Sequence, residues 1–222
     1  VQRLRAAGGA ALRGPGPAQV LLRAAPAAAM ARALKPLVFL ACLLPLAWLV
    51  FAAATDRLGP NPAEALIRST GDWTLRLLCA TLAVTPLRQW TKWHALARLR
   101  RMLGLYTFFY AALHALAYAW LDMGLDIADI LRDIAKRPFI LVGTTALLLL
   151  VPLAATSLER AVRALGAARW RALHRAVSAV AGLALLHFFW MRAGKNDFAE
   201  VAVYAAILCV LLGWRLWKQV RR

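Results

Sequence analysis

RRMLGLYTFFYAALHALAYAWLD, residues 100–122, decides the fold. Two arginines open the stretch and an aspartate closes it. The 20 residues between them, 102–121, carry no formal charge. About 20 mostly apolar residues is the length that crosses the hydrocarbon core of a bilayer as an α-helix. One residue inside this span is His114. An ionisable side chain at membrane depth is costly and marks a site.

Working outward, five further segments have the character of spans. Pro36 to Ala54 has no charge. Trp73 to Leu87 is short and carries Arg76. Phe139 to Ser157 is uninterrupted. A fifth runs from about Trp170 to Trp190, with Arg171 and Arg175 at its start and His174 and His187 within it. The sixth, about Phe198 to Trp217, holds Glu200 near one end and Arg215 near the other. Pro45 and Pro152 fall inside spans, which membranes tolerate. Of the 222 residues, 62% are hydrophobic, against about 45–50% in a soluble domain. The expectation is an all-α integral membrane bundle of about six transmembrane helices, occupying residues 36–218, with a basic tail at 219–222.

A net charge of +18 raises the question of nucleic acid. The charges flank apolar runs and no groove-reading motif accompanies them, which excludes that class. They report orientation instead, because basic residues collect on the cytoplasmic side. With the N-terminus inside, 20 of the 28 Lys and Arg fall on inner segments, while nine of the ten acids fall outside. Both termini are therefore expected in the cytoplasm. Residues 1–35 are rich in Ala, Arg, Gly and Pro and poor in large apolar side chains. They read either as a disordered basic tail or as an upstream extension, with translation starting at Met30. Among the outer segments, Ala63 to Ser69 is short. Asp126 to Arg137 is an amphipathic helix, with Ile127, Ile130, Leu131 and Ile134 on one face and Asp126, Asp129 and Asp133 on the other. It either covers the bundle or receives a partner. Cys42, Cys79 and Cys209 lie in apolar runs without a CxxC spacing and read as small buried hydrophobes. The nine tryptophans, mostly near span ends, read as an interface belt. No internal repeat is evident.

Three of the four histidines fall in spans. Histidines on facing helices hold cofactors in bundle cores, and a six-coordinate electron-transfer heme takes one imidazole on each face. His114 lies about 12 residues above the inner end of its span, and His187 a similar number above Arg175. They meet at one level in the outer half. His174 precedes His187 by 13 residues, which puts it roughly 20 Å lower and about 140° away around an ideal helix. The reading is an outer heme between His114 and His187, and an inner heme or flavin site near His174. There Arg100, Arg101 and Arg175 are placed to bind propionates or a flavin phosphate. His94, in a basic loop, reads as a solvated surface residue. No GxGxxG follows a strand and no Walker loop occurs. Electrons are therefore expected from a membrane quinol or a separate reductase.

Four blocks together resemble a known family: GDWTLRLLCATLAVTPLRQW at 71–90, RRMLGLYTFFYAALHALAYAWLD at 100–122, RPFILVGTTALLLLVPLAATS at 137–157 and LGAARWRALHRAVSAVAGLALLHFFW at 165–190. In order and spacing they are similar to the MsrQ (YedZ) family, the heme-binding membrane subunits of the bacterial MsrPQ protein-methionine-sulfoxide reductase system, which belong with ferric-reductase-like transmembrane proteins. The resemblance implies heme b on His114, His174 and His187, an FMN, the quinone pool as electron donor, and the periplasmic molybdopterin reductase MsrP as acceptor. It implies a multi-pass protein of the bacterial inner membrane that transfers electrons and does no chemistry on the sulfoxide itself. Rival readings are a stand-alone ferric reductase-like cytochrome b and a small transporter using the histidines as a relay.

Overall fold

The computed structural model describes residues 17–194 and 196–221, with side chains from residue 33 onward. Among these the chain forms eight α-helices and no strand. It divides into two units at Leu40/Ala41, and the helix packing and both cavities belong to the second, Ala41–Arg222.

Helix α1 covers Pro17–Ala54. The extension expected as disordered or misannotated, 1–35, therefore falls in two parts. Residues 1–16 lie outside the described residues, and 17–35 are helical backbone. An alanine-rich run has high intrinsic helix propensity, so the helix does not wait for the apolar segment to start. Helix α2 (Pro62–Thr91) opens with Pro62 in its first turn, and the Asn61 side chain accepts from the Glu64 N–H at 3.1 Å. It absorbs both the short outer segment at 63–69 and the second expected span. A 3₁₀ turn, His94–Leu96, leads into α3 (Ala97–Ala117), which widens into a π turn at Tyr118–Asp122. Helix α4 (Ile127–Lys136) is the expected amphipathic element, capped by the Asp126 carboxylate on the Asp129 N–H at 3.0 Å. Then follow α5 (Pro138–Ala155), α6 (Glu159–His174, broken at Gly166 where φ is +75°), α7 (Val177–Ala193) and α8 (Ala199–Val220).

Five segments are long and apolar enough to cross a membrane: Ala33–Ala54, His94–Asp122, Pro138–Ala155, Glu159–Ala193 and Ala199–Val220. The expected sixth, in α2, has the length but not the apolarity. The reason is position. α2 packs most extensively on α3 and buries Leu75, Leu77, Leu78, Cys79, Leu82 and Val84, and a helix enclosed by protein does not need a lipid-compatible surface. Its Arg76 is accommodated by stacking over Trp73 (4.9 Å to the ring) and by donating to the Tyr204 hydroxyl of α8 at 3.3 Å.

The second strong pairing is α5 on α7. Leu75, Leu78, Leu82, Ala111, Leu150, Val180, Ala181, Phe188, Val201 and Leu208, from α2, α3, α5, α7 and α8, form the shared core. Leu44, Trp48, Leu116, Leu148 and Val210 are exposed, as apolar side chains are where lipid is the solvent. Cys209 is exposed as well, unlike the buried Cys42 and Cys79, because it lies on the outward side of α8. Tyr110, fully buried, ties α1 to α3. Its hydroxyl donates to the Cys42 carbonyl at 2.8 Å and accepts from the Leu46 N–H at 3.1 Å, which bridges a carbonyl and an amide one turn apart.

Candidate cofactor sites

Two cavities lie one above the other along the bundle, and Leu78 and Leu150 line both. The larger, about 530 Å³, collects residues from the ends of α2, α3, α5 and α7 that carry Asn61, Tyr118, Phe139 and Met191. That volume is in the range of cofactor sites, about 300–1,000 Å³. His114 of α3 and His187 of α7 both face into it. Their ring centroids are 6.0 Å apart and the ring planes cross at 77°. Two imidazoles each about 2 Å from one metal, on opposite sides, have their centroids roughly this far apart.

The hydrogen bonds fix the chemistry of both rings. Nδ1 of His114 lies 2.8 Å from the Ile67 carbonyl, and Nδ1 of His187 lies 2.6 Å from the Phe139 carbonyl. A carbonyl oxygen only accepts, so each Nδ1 carries the proton and donates it. Each Nε2 keeps its lone pair. This is how metal-binding histidines are ordinarily held, with the outer nitrogen tied to a backbone carbonyl or carboxylate. No group of three or more His, Cys, Asp or Glu among the described residues could hold a bare metal ion, so the donor set is two imidazoles. At the mouth, the Tyr118 hydroxyl donates to Asp133 at 2.5 Å, and Arg137, which lines the cavity, pairs with the same carboxylate. Arg68, also lining, pairs with Glu64 at 2.5 Å.

The smaller cavity, about 340 Å³, holds His174 with Arg100, Arg101 and Arg215. Thr81, Thr85, Thr107 and Ser157 add hydroxyls, and Trp170 and Trp214 add aromatic walls. The His174 ring stacks on Trp170 with centroids 4.1 Å apart. Its Nε2 lies 3.1 Å from the Thr156 hydroxyl, which itself donates to the Pro152 carbonyl at 2.6 Å. The hydroxyl proton is thus engaged, so Nε2 is the donor and Nδ1 of His174 is free, the reverse of the other two histidines.

Sequence reasoning placed His114 and His187 together, and so does the structure. Arg100 and Arg101 stand beside His174 as expected. Arg175 does not: it is exposed and lines neither cavity. His94 is exposed and lines neither as well. Arg175 directly follows His174, and adjacent helical residues point about 100° apart, so it turns away from the cavity that His174 lines. Amides of Arg175, Ala176 and Ser178 bond three residues back, to Ala172, Leu173 and Arg175, so α6 ends and α7 begins through a 3₁₀ turn. Each such step turns about 120° rather than about 100°. Three of them bring His174 and His187 from about 140° apart to about 80°. Arg215, Trp170 and Trp214 were read as topology and belt residues, and nothing local in the sequence marks them as cavity walls. Gly71 and Gly143 were also missed. Each precedes its histidine by a nearly equal interval, 43 and 44 residues, a spacing that hints at two similar helix pairs.

Comparison with known proteins gives the family. Residues 70–185 match the ferric reductase like transmembrane component family. Similar proteins include the protein-methionine-sulfoxide reductase heme-binding subunits MsrQ of Polaromonas naphthalenivorans (66% identical, covering 83% of this chain and 84% of the relative), Ralstonia nicotianae (56%, covering 84% and 86%) and Bordetella pertussis (52%, covering 85% and 91%). No solved structure matches the chain.

Proposed function

The chain belongs to the MsrQ family of protein-methionine-sulfoxide reductase heme-binding subunits, within the ferric-reductase-like transmembrane components, and from that premise we propose that it holds a b-type heme between His114 and His187 and passes electrons from the membrane quinone pool to a periplasmic molybdopterin reductase, MsrP, which repairs oxidised methionines. The observation that carries this reading is the pair of imidazoles 6.0 Å apart with both Nδ1 atoms tied to carbonyls. A heme bound there supplies one-electron transfer at membrane depth. The chain's own residues do the rest. His114 and His187 present Nε2 lone pairs. Leu75, Ala111, Val180 and Phe188 wall off lipid and water. Arg68 and Arg137 line the mouth in ion pairs with Glu64 and Asp133, and their guanidiniums are the groups there that could bond heme propionates.

The second cavity, with three guanidiniums and two indoles, suits an anionic, planar group: the propionate edge of a second heme or the phosphate and ring of an FMN. With Nε2 of His174 donating to Thr156, Nδ1 is the nitrogen that keeps a lone pair for such a group. With the basic ends inside, this cavity opens toward the cytoplasm and the His114–His187 cavity toward the periplasm of an inner-membrane protein. A proton-relay transporter is disfavoured, because a relay imidazole must take a proton on one nitrogen and release it from the other, and both Nδ1 atoms are committed to carbonyls.

The test is spectroscopic. His114→Ala and His187→Ala should each remove the same low-spin bis-imidazole component from the purified protein. A wild-type reduced spectrum in either variant overturns the pairing, and absence of a Soret band from the wild type overturns the heme itself.

A further inference from the structure

We propose that Gly71 and Gly143 are positioning residues for the two ligand histidines, each leaving open a helix carbonyl that would otherwise be covered, so that the imidazole of a neighbouring helix can dock on it. The inference rests on the reading that His114 and His187 hold one heme.

Side chains on a helix tilt toward its N-terminus, so the residue at i+4 overlies the carbonyl of residue i. Ile67 and Phe139 supply the carbonyls that accept from the two rings. The residue four positions later is Gly71 in one case and Gly143 in the other. A Cβ at Gly71 would stand 3.1 Å from both Cε1 and Nδ1 of His114. A Cβ at Gly143 would stand 2.8 Å from Nδ1 and 2.9 Å from Cε1 of His187. Each ring therefore occupies the space a methyl group would fill. The arrangement appears twice on separate helix pairs, α2 with α3 and α5 with α7, with no shared residue. That recurrence argues against chance packing. Other glycines of the spans differ: Gly182 and Gly213 would meet nothing within 4 Å, and Gly104 only the Thr81 methyl at 3.7 Å.

What the glycines fix is ring orientation. Two anchors on different helices hold the imidazole planes at 77°. The low-spin electron paramagnetic resonance signal of a bis-imidazole heme depends on that angle, whereas a glycine serving only close helix packing would leave it unmoved. Alanine is the better helix former, so a loss of signal on Gly→Ala does not come from weakened helix propensity.

The experiment uses the full chain purified in detergent, with its heme. Gly143→Ala should shift the largest g-value of the low-spin signal and weaken heme retention by about 10-fold or more, the size expected when an outer partner of a metal-binding histidine is lost. Gly71→Ala should shift the same signal by a smaller amount, in keeping with its longer contact. Gly182→Ala and Gly213→Ala should both match wild type. A wild-type g-value and wild-type heme retention in Gly143→Ala overturn the proposal; if that variant does not accumulate, the same result in Gly71→Ala overturns it. The underlying heme reading fails by a different result, a wild-type low-spin signal in His114→Ala or His187→Ala.

Discussion

Arg175 adjoins His174 in sequence but does not line its cavity, while Arg215, from another helix, does. A guanidinium bonding an anion contributes about 1.5–3 kcal/mol, or roughly 10- to 100-fold in retention. Arg100→Ala combined with Arg215→Ala should therefore strip the inner cavity of its cofactor while leaving the His114–His187 spectral component intact, and Arg175→Ala should change neither. Cofactor per polypeptide, by pyridine hemochrome for heme and extraction for flavin, reads both. Unchanged content in the double variant removes the anion site. At this scale the sequence made the pairing of His114 with His187 legible, because depth along a span is a matter of counting residues. It could not make Ile67, Phe139 or Arg215 legible, since nothing in a residue's own neighbourhood says which distant side chain it meets.

Among the elements, α4 was legible from its period, whereas α2 was legible only as a short outer segment at 63–69 and a short span at 73–87, not as one helix. Periodicity worked for α4 because one face is apolar and the other acidic. α2 is surrounded by protein, and its polar residues broke an apolar pattern that only a lipid-facing helix needs. The anchor of α4 is electrostatic. Asp133 accepts from Tyr118 and from Arg137 Nε at 2.5 Å, and the Arg137 guanidinium, followed by the Tyr118 hydroxyl, holds its carboxyl below the usual carboxylate range. A depressed native pKa stabilises above the unfolded value, near ~3.9, and that stabilisation is lost as pH falls through the native one. Amide protection in α4 should thus be full at neutral pH and fall below about pH 4. Asp133→Asn should lower protection at neutral pH and flatten the acid dependence, as measured by hydrogen exchange. An identical acid profile in the variant would show that another group anchors α4.

For the whole molecule, the number of crossings decides the topology. Length and apolarity alone give five spans, which would leave the termini on opposite faces. If α2, with 30 residues and about 45 Å of helix, also crosses, the termini share a face, the arrangement that would put 20 of the 28 basic residues on the cytoplasmic side. Reporter fusions after Trp120 and Trp190 should read periplasmic, and those after Arg101 and Arg222 cytoplasmic. A periplasmic C-terminus rejects the six-crossing arrangement. The sequence by itself determined that the chain is an all-α membrane bundle, and that three histidines stand at two levels along it. Those are one-dimensional properties, carried by apolar length, charge position and residue count. Tertiary structure alone decided that two glycines open carbonyls to two imidazoles, that a 3₁₀ turn swings His174 toward the side of His187, and that α8 lends Arg215 to the inner cavity. Each depends on rotation about a helix axis and on contact between segments far apart in the chain, and a linear pattern of residues specifies neither.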